Sequence, residues 1–176
     1  MEIYIETERL LLRSWKHEDR EPFAVLNGNR NVMKYFPATL SVDESSAFVD
    51  RINTEFEETG FGLYAVELKE SGEFIGYVGF HRFTFDAPFS PGWEIGWRIS
   101  DRFWHKGYAT EAAKACLDYA SERHFCGRLY SFTSVQNIPS ENVMKRIGMR
   151  YQGKFMHPAL ANGHWLKEHK LYSIDL

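Results

Sequence analysis

Trp93-Glu-Ile-Gly-Trp-Arg-Ile99, followed by Trp104-His-Lys-Gly-Tyr-Ala-Thr-Glu-Ala-Ala-Lys-Ala-Cys-Leu-Asp-Tyr-Ala120, decides how this chain is read. In the first part Trp93, Ile95, Trp97 and Ile99 alternate with Glu94, Gly96 and Arg98, the pattern of a strand. In the second, Ala109, Ala112, Ala113, Cys116, Leu117 and Ala120 recur at helical spacing and put an apolar stripe along one side. Between them, Gly107 precedes the helix. A helix start carries unpaired amides and the positive end of the macrodipole, so it attracts an anion without a charged side chain. Gly107 lets backbone amides turn toward one point and a phosphate come close. Ala109 is small for the same reason, and Lys106 adds charge at the rim. An ordinary strand-to-helix turn looks the same, and neither GxxxxGK[ST] nor a strand-borne GxGxxG is present.

Outward toward the N-terminus, Gly62–Leu68, the turn Lys69-Glu-Ser-Gly72 and Phe74–Phe85 read as a hairpin. Ser41-Val-Asp-Glu44 is a capping box that starts a helix running toward Gly60, with Ala47, Phe48, Ile52 and Phe56 near helical spacing. Leu10-Leu-Leu12 with Trp15 reads as the first strand, and Phe23, Val25 and Leu26 as a short helix. Toward the C-terminus, Leu129–Val135 is a strand, Pro139 suits a helix start and Gly148 its end. Met149–Met156 and Trp165–Ile174 read as closing strands. The sum is one mixed α/β domain over residues 1–176, antiparallel early and crossed by helices late.

Bulk properties exclude several classes. Of 176 residues, 44% are apolar and 16% aromatic, enough for a packed core. The formal charge of -3 lacks the basic footprint of a nucleic-acid binder. Cys116 and Cys126 form no CxxC pair and read as reduced thiols of a cytoplasmic protein. Met1-Glu-Ile-Tyr-Ile-Glu6 has no secretory pattern, and no stretch reaches the roughly 20 apolar residues of a membrane span.

Three blocks then fall in order: Glu94-Ile-Gly-Trp-Arg-Ile99; Trp104-His-Lys-Gly-Tyr-Ala-Thr-Glu-Ala112; and Asn137-Ile-Pro-Ser140 with Val143-Met-Lys-Arg-Ile-Gly-Met149. Together they resemble the GNAT superfamily of N-acetyltransferases, and more narrowly the branch holding the bacterial ribosomal-protein N-terminal acetyltransferases. Glu6-Thr-Glu-Arg-Leu-Leu-Leu-Arg13 is similar to that branch's usual start. Two positions depart from the superfamily loop [QR]xxGx[GA]: Trp104 stands at the Gln/Arg place, as is common in the branch, and His105 stands where the branch often has Gly.

The resemblance implies an α/β (α+β) fold, a mostly antiparallel twisted sheet of about seven strands flanked by about four helices. It implies acetyl-CoA as co-substrate and direct attack of an amine on the thioester, with no metal. Trp104, His105, Lys106, Gly107, Tyr108, Ala109 and Thr110 would hold the pyrophosphate. Backbone groups at Trp97 and Ile99 would pair with the pantetheine arm, and an amide near Trp97 or Arg98 would face the oxyanion. Asn137 matches the position whose amide contacts the arm, and Ser140 the one near the sulfur, where it would donate a proton to the thiolate or stabilise it. A hydroxyl capping its own helix is an equal reading of Ser140.

Glu94 is the candidate base, since partial burial raises a carboxyl toward useful basicity. A surface ion pair with Arg98 stands beside that reading. His157 is a second candidate on the closing loop. The acceptor wall is expected from Phe80, His81, Phe83, Phe85 and Trp93, with the 29–37 segment. These aromatics read equally as core. His157, His164 and His169 cluster without a zinc-site spacing. The acceptor is expected to be an amine, a protein N-terminus or a small molecule, on a monomer or homodimer. A non-catalytic acyl-CoA-binding module on the same fold is the alternative.

Overall fold

A computed structural model describes residues 1–176. The elements run β1 (Ile3–Glu6), β2 (Leu10–Arg13), α1 (Arg20–Gly28), α2 (Val42–Thr59), β3 (Leu63–Leu68), β4 (Phe74–Phe83), β5 (Gly92–Ile99), α3 (Tyr108–Glu122), β6 (Arg128–Ser134), α4 (Ile138–Arg146), β7 (Arg150–Met156) and β8 (Glu168–Asp175). The strands form one sheet in the order β1-β2-β3-β4-β5-β6-β8-β7. The mixed class and the four α-helices agree with the sequence reading. The sheet has eight strands rather than seven, because Ile3–Glu6 pairs along β2. Four residues with only Ile5 buried are too short to show a period. The last strand starts at Glu168, not Trp165.

Side-chain alternation sorts the two faces. On β4, Tyr77 packs with Phe23, Leu26, Val49 and Ile52 under α1 and α2. Its neighbours Val78 and Phe80 pack with Ala112, Ala113, Cys116 and Ala120 of α3 and with Met144 of α4. Those four small α3 residues are fully buried, so the helix lies close against the sheet. The capping box of α2 is formed: Ser41 N donates to Glu44 Oε2 at 2.7 Å, and Glu44 N to Ser41 Oγ at 3.2 Å.

One break in the sheet prepares the site. Every neighbouring pair is antiparallel except β5–β6, which is parallel and registers at a single pair, Glu94 with Tyr130. β5 stays fully paired to β4, and β6 to β8, so the two halves of the sheet part beyond that pair. α3 and α4 both begin just after the C-terminal ends of these two strands. Two helix N-termini therefore stand at the mouth of the wedge.

Candidate active site

The loop before α3 has the form an anion needs. Gly107 is its N-cap at φ 83°, a left-handed conformation that costs glycine little. Glu111 N is the first amide bonded back, to Gly107 O at 3.0 Å. The amides of Tyr108, Ala109 and Thr110 thus lack intrahelical partners, and no side chain caps them. A Cβ at Gly107 would meet one atom, Arg9 Nη2 at 3.5 Å, so the space before the amides is clear of backbone. His105 is exposed and also left-handed, at φ 62°. Lys106 is exposed, its ammonium 5.4 Å from the Phe103 ring centre. Trp104 Nε1 donates to Ile99 O at 2.8 Å, so that carbonyl, expected to meet the pantetheine arm, already anchors the loop to β5.

A cation from the far end of the chain completes the loop. Arg9, in the β1–β2 turn, donates from Nη1 to Lys106 O at 3.0 Å and stacks 4.5 Å from the Tyr108 ring centre. Glu111, in the first turn of α3, aligns it: Arg9 Nε donates to Glu111 Oε2 at 2.7 Å, and Thr7 Oγ1 to Oε1 at 2.6 Å. The carboxylate would otherwise repel an anion at this helix start, and Arg9 offsets its charge. The other arginine of the same block, Arg13, is buried and bonds Asp19 and Glu67, tying β2 to β3 and to the chain entering α1.

At the start of α4, Asn137 Oδ1 accepts from Ser140 N at 3.3 Å and Asn137 Nδ2 donates to Thr133 Oγ1 at 2.9 Å. Asn137 is therefore the cap. The capping role weighed for Ser140 belongs to Asn137, and the half-buried Ser140 hydroxyl makes no bond within the protein.

The opposite side of the wedge carries the titratable groups. Glu94 is half-buried and forms no ion pair, and burial pushes its carboxyl up to about 7, with His81 pulling down and Glu55 pushing up. The pairing with Arg98 does not form, because the buried guanidinium donates to Asn27 Oδ1 at 2.6 Å and lies 4.2 Å from the Phe36 ring centre. His81 faces Glu94 across the β4–β5 ladder. Its Nδ1 lies 2.8 Å from Glu55 Oε2 on α2, and that contact raises the imidazole above its usual value. The 29–37 segment packs against the end of β5, with Phe36 on Arg98 and Asn29 Nδ2 donating to Asp101 Oδ2 at 2.9 Å.

Two residues expected in the acceptor wall lie on the other face. Phe80 is fully buried in the core beneath α3, and Trp93 packs at 4.7 Å between ring centres against Phe125 on that side. Alternation along a strand sends odd and even residues to opposite faces, so His81 and Phe83 share the face of Glu94 and Phe80 does not. His157 stands on that same face among Phe85, Phe132, Phe155 and His169.

Residues 9–150 match the acetyltransferase (GNAT) domain family. The chain belongs to the GNAT acetyltransferases. It is 32% identical to the N-acetyltransferase YnaD of Bacillus subtilis over 168 residues, 95% of this chain and 94% of the relative. The crystal structure of a GNAT-family acetyltransferase from Bacillus anthracis superposes with a TM-score of 0.81 at 28% identity, covering 97% of each chain. The ribosomal L7/L12 alpha-N-protein acetyltransferase RimL, solved with coenzyme A, shares the fold with a TM-score of 0.81 at 18% identity, over 99% of this chain and 98% of that one.

The candidate site holds residues that no local sequence pattern marks. Arg9 and Thr7 act about a hundred residues from the loop they hold, and Glu55, its side chain only 14% exposed, reaches from α2 to His81. No local period marks either. The one sequence signal is the Glu6–Arg13 block, whose likeness to the branch's usual start assigns no role to its residues.

Proposed function

We propose that this acetyltransferase moves an acetyl group from acetyl-CoA to a primary amine by direct attack in a ternary complex. The observation that carries the reading is the wedge between β5 and β6, with an open helix start on one side and Glu94 on the other. The free amides of Tyr108, Ala109 and Thr110, with Arg9 beside them, suit a pyrophosphate. The open edge of β5 beyond Glu94 offers backbone groups to an extended arm, and an amide there offers a bond to the oxyanion. The amine nitrogen forms a bond to the acetyl carbon as the carbon–sulfur bond breaks. Glu94, directly or through one water, takes the amine's proton, and Ser140 gives one to the leaving thiolate. Holding both reactants in the wedge supplies much of the rate. The acceptor is an N-terminal amine of a peptide or the amine of a small molecule.

The test is release of free thiol from acetyl-CoA with a panel of amines, with mass spectrometry of the product seeking one added acetyl group. Tight acetyl-CoA binding with no thiol release on any acceptor would establish the non-catalytic module instead.

A further inference from the structure

The half of the sheet formed by β6, β7 and β8 carries no helix on the face shared with Glu94, since α1 and α2 pack over Leu63 and Tyr77 on β3 and β4. Aromatic rings line that face. Phe83 lies 5.5 Å from Phe132 between ring centres, Phe132 5.7 Å from Phe155, and Phe155 5.6 Å from His169. Phe85, in the loop after β4, is 4.8 Å from His157, and His157 is 5.0 Å from His169. All of these except Phe83 are only half-buried. The wall is continuous with the reaction centre through Tyr130, which pairs with Glu94 across the β5–β6 opening and whose ring is 5.8 Å from that of Phe83.

Charge distinguishes this wall from a site for polycations. Burial lowers His157, and it lowers His169 to about 4, so both imidazoles are neutral near pH 7. Their Nε2 atoms are complementary in protonation. Nδ1 of His157 accepts from Ala159 N at 3.3 Å, which places its proton on Nε2. Nδ1 of His169 meets Lys167 O at 3.2 Å and carries the proton there, which leaves Nε2 as an acceptor. The wall therefore offers flat apolar faces, one uncharged donor and one uncharged acceptor. Glu55, a carboxylate on this side, is already bonded to His81 and to the Arg82 amide. A second ammonium lying against these rings would be desolvated with no carboxylate among the wall residues to meet it.

We propose that the acceptor is a primary amine carried on a flat, uncharged aromatic body, which lies against this wall with its nitrogen at Glu94. Offset and edge-on ring packing selects the body, and Glu94 receives the amine. The proposal rests on the acetyl-transfer reading above.

The experiment compares kcat/KM for 2-phenylethylamine and tryptamine with that for propylamine and spermidine, using the intact chain and acetyl-CoA. The ring-bearing amines are expected to lead by about tenfold or more. Phe155→Leu should raise KM for 2-phenylethylamine about fivefold, with a smaller change for propylamine and none in the KM for acetyl-CoA. His169→Gln provides the same comparison from a second position should Phe155→Leu fail to fold. Equal or better turnover of propylamine or spermidine overturns the proposal while leaving acetyl transfer intact. An equal KM change on both classes of amine overturns the wall's role. No thiol release with any amine overturns the transfer reading and this proposal with it.

Discussion

Replacing Glu94 by Gln should make the protein more stable and less active at once. Burial moves this carboxyl from the ordinary 4.5 to about 7, which at about 1.4 kcal/mol per pH unit is an upper bound of about 3 kcal/mol against the ionised folded state. Partial solvent access brings the effect nearer 1–2 kcal/mol. The sign follows from linkage. Below pH 4.5 the group is neutral in both folded and unfolded chains and contributes no penalty. Between 4.5 and 7 the unfolded chain ionises first, so stability falls as pH rises, and above 7 the full penalty is present. Glutamine keeps the shape and never ionises. Urea unfolding should therefore show equal midpoints for wild type and Glu94→Gln at pH 4, and a higher midpoint for the variant at pH 8 with the slope unchanged. Turnover at pH 8 should fall about 10²- to 10⁴-fold, the usual contribution of a general base. In the wild type, kcat/KM should rise with pH through a limb near 7. Equal midpoints at pH 8 would show that the carboxylate is well solvated. A limb near 4.5, or unchanged turnover, would remove Glu94 from the reaction.

Substitutions at three further positions address the cofactor side. Arg9→Met should raise the KM for acetyl-CoA about tenfold, the worth of a charge-assisted bond, without changing the acceptor KM, and Arg9→Lys should restore it in part. Parallel rises in both KM values would mean a general loss of structure. Gly107→Val forces a β-branched residue into the left-handed region and puts a side chain where an anion approaches, so calorimetric acetyl-CoA affinity should collapse. Undiminished affinity would move the phosphate site elsewhere. Ser140→Ala should lower kcat about tenfold with no change in melting temperature, because Asn137 still caps α4. A melting temperature lowered along with unchanged kcat would return Ser140 to a purely structural role.

The elements were legible in the sequence wherever a local rule governs them. The alternation of Trp93–Ile99, the small-residue stripe from Ala109 to Ala120, and the Ser41–Glu44 box each specify their own backbone within a few bonds. The loop at Gly107 was legible too, since a helix start needs no distant partner to present its amides. What distant parts of the chain do to one another was not. The Glu6–Arg13 block carries no sign that Arg9 reaches Lys106 and Glu111, because that contact exists only after β1–β2 has docked beside α3. Phe80 and His81 are adjacent in sequence and equally aromatic. Only the pleat of the folded strand sends one into the core and the other toward Glu94. The basicity of Glu94 is likewise a tertiary property. A carboxyl's affinity for its proton depends on the water it has lost and the charges it faces, and both are set by chain segments folded against it rather than by its neighbours in sequence.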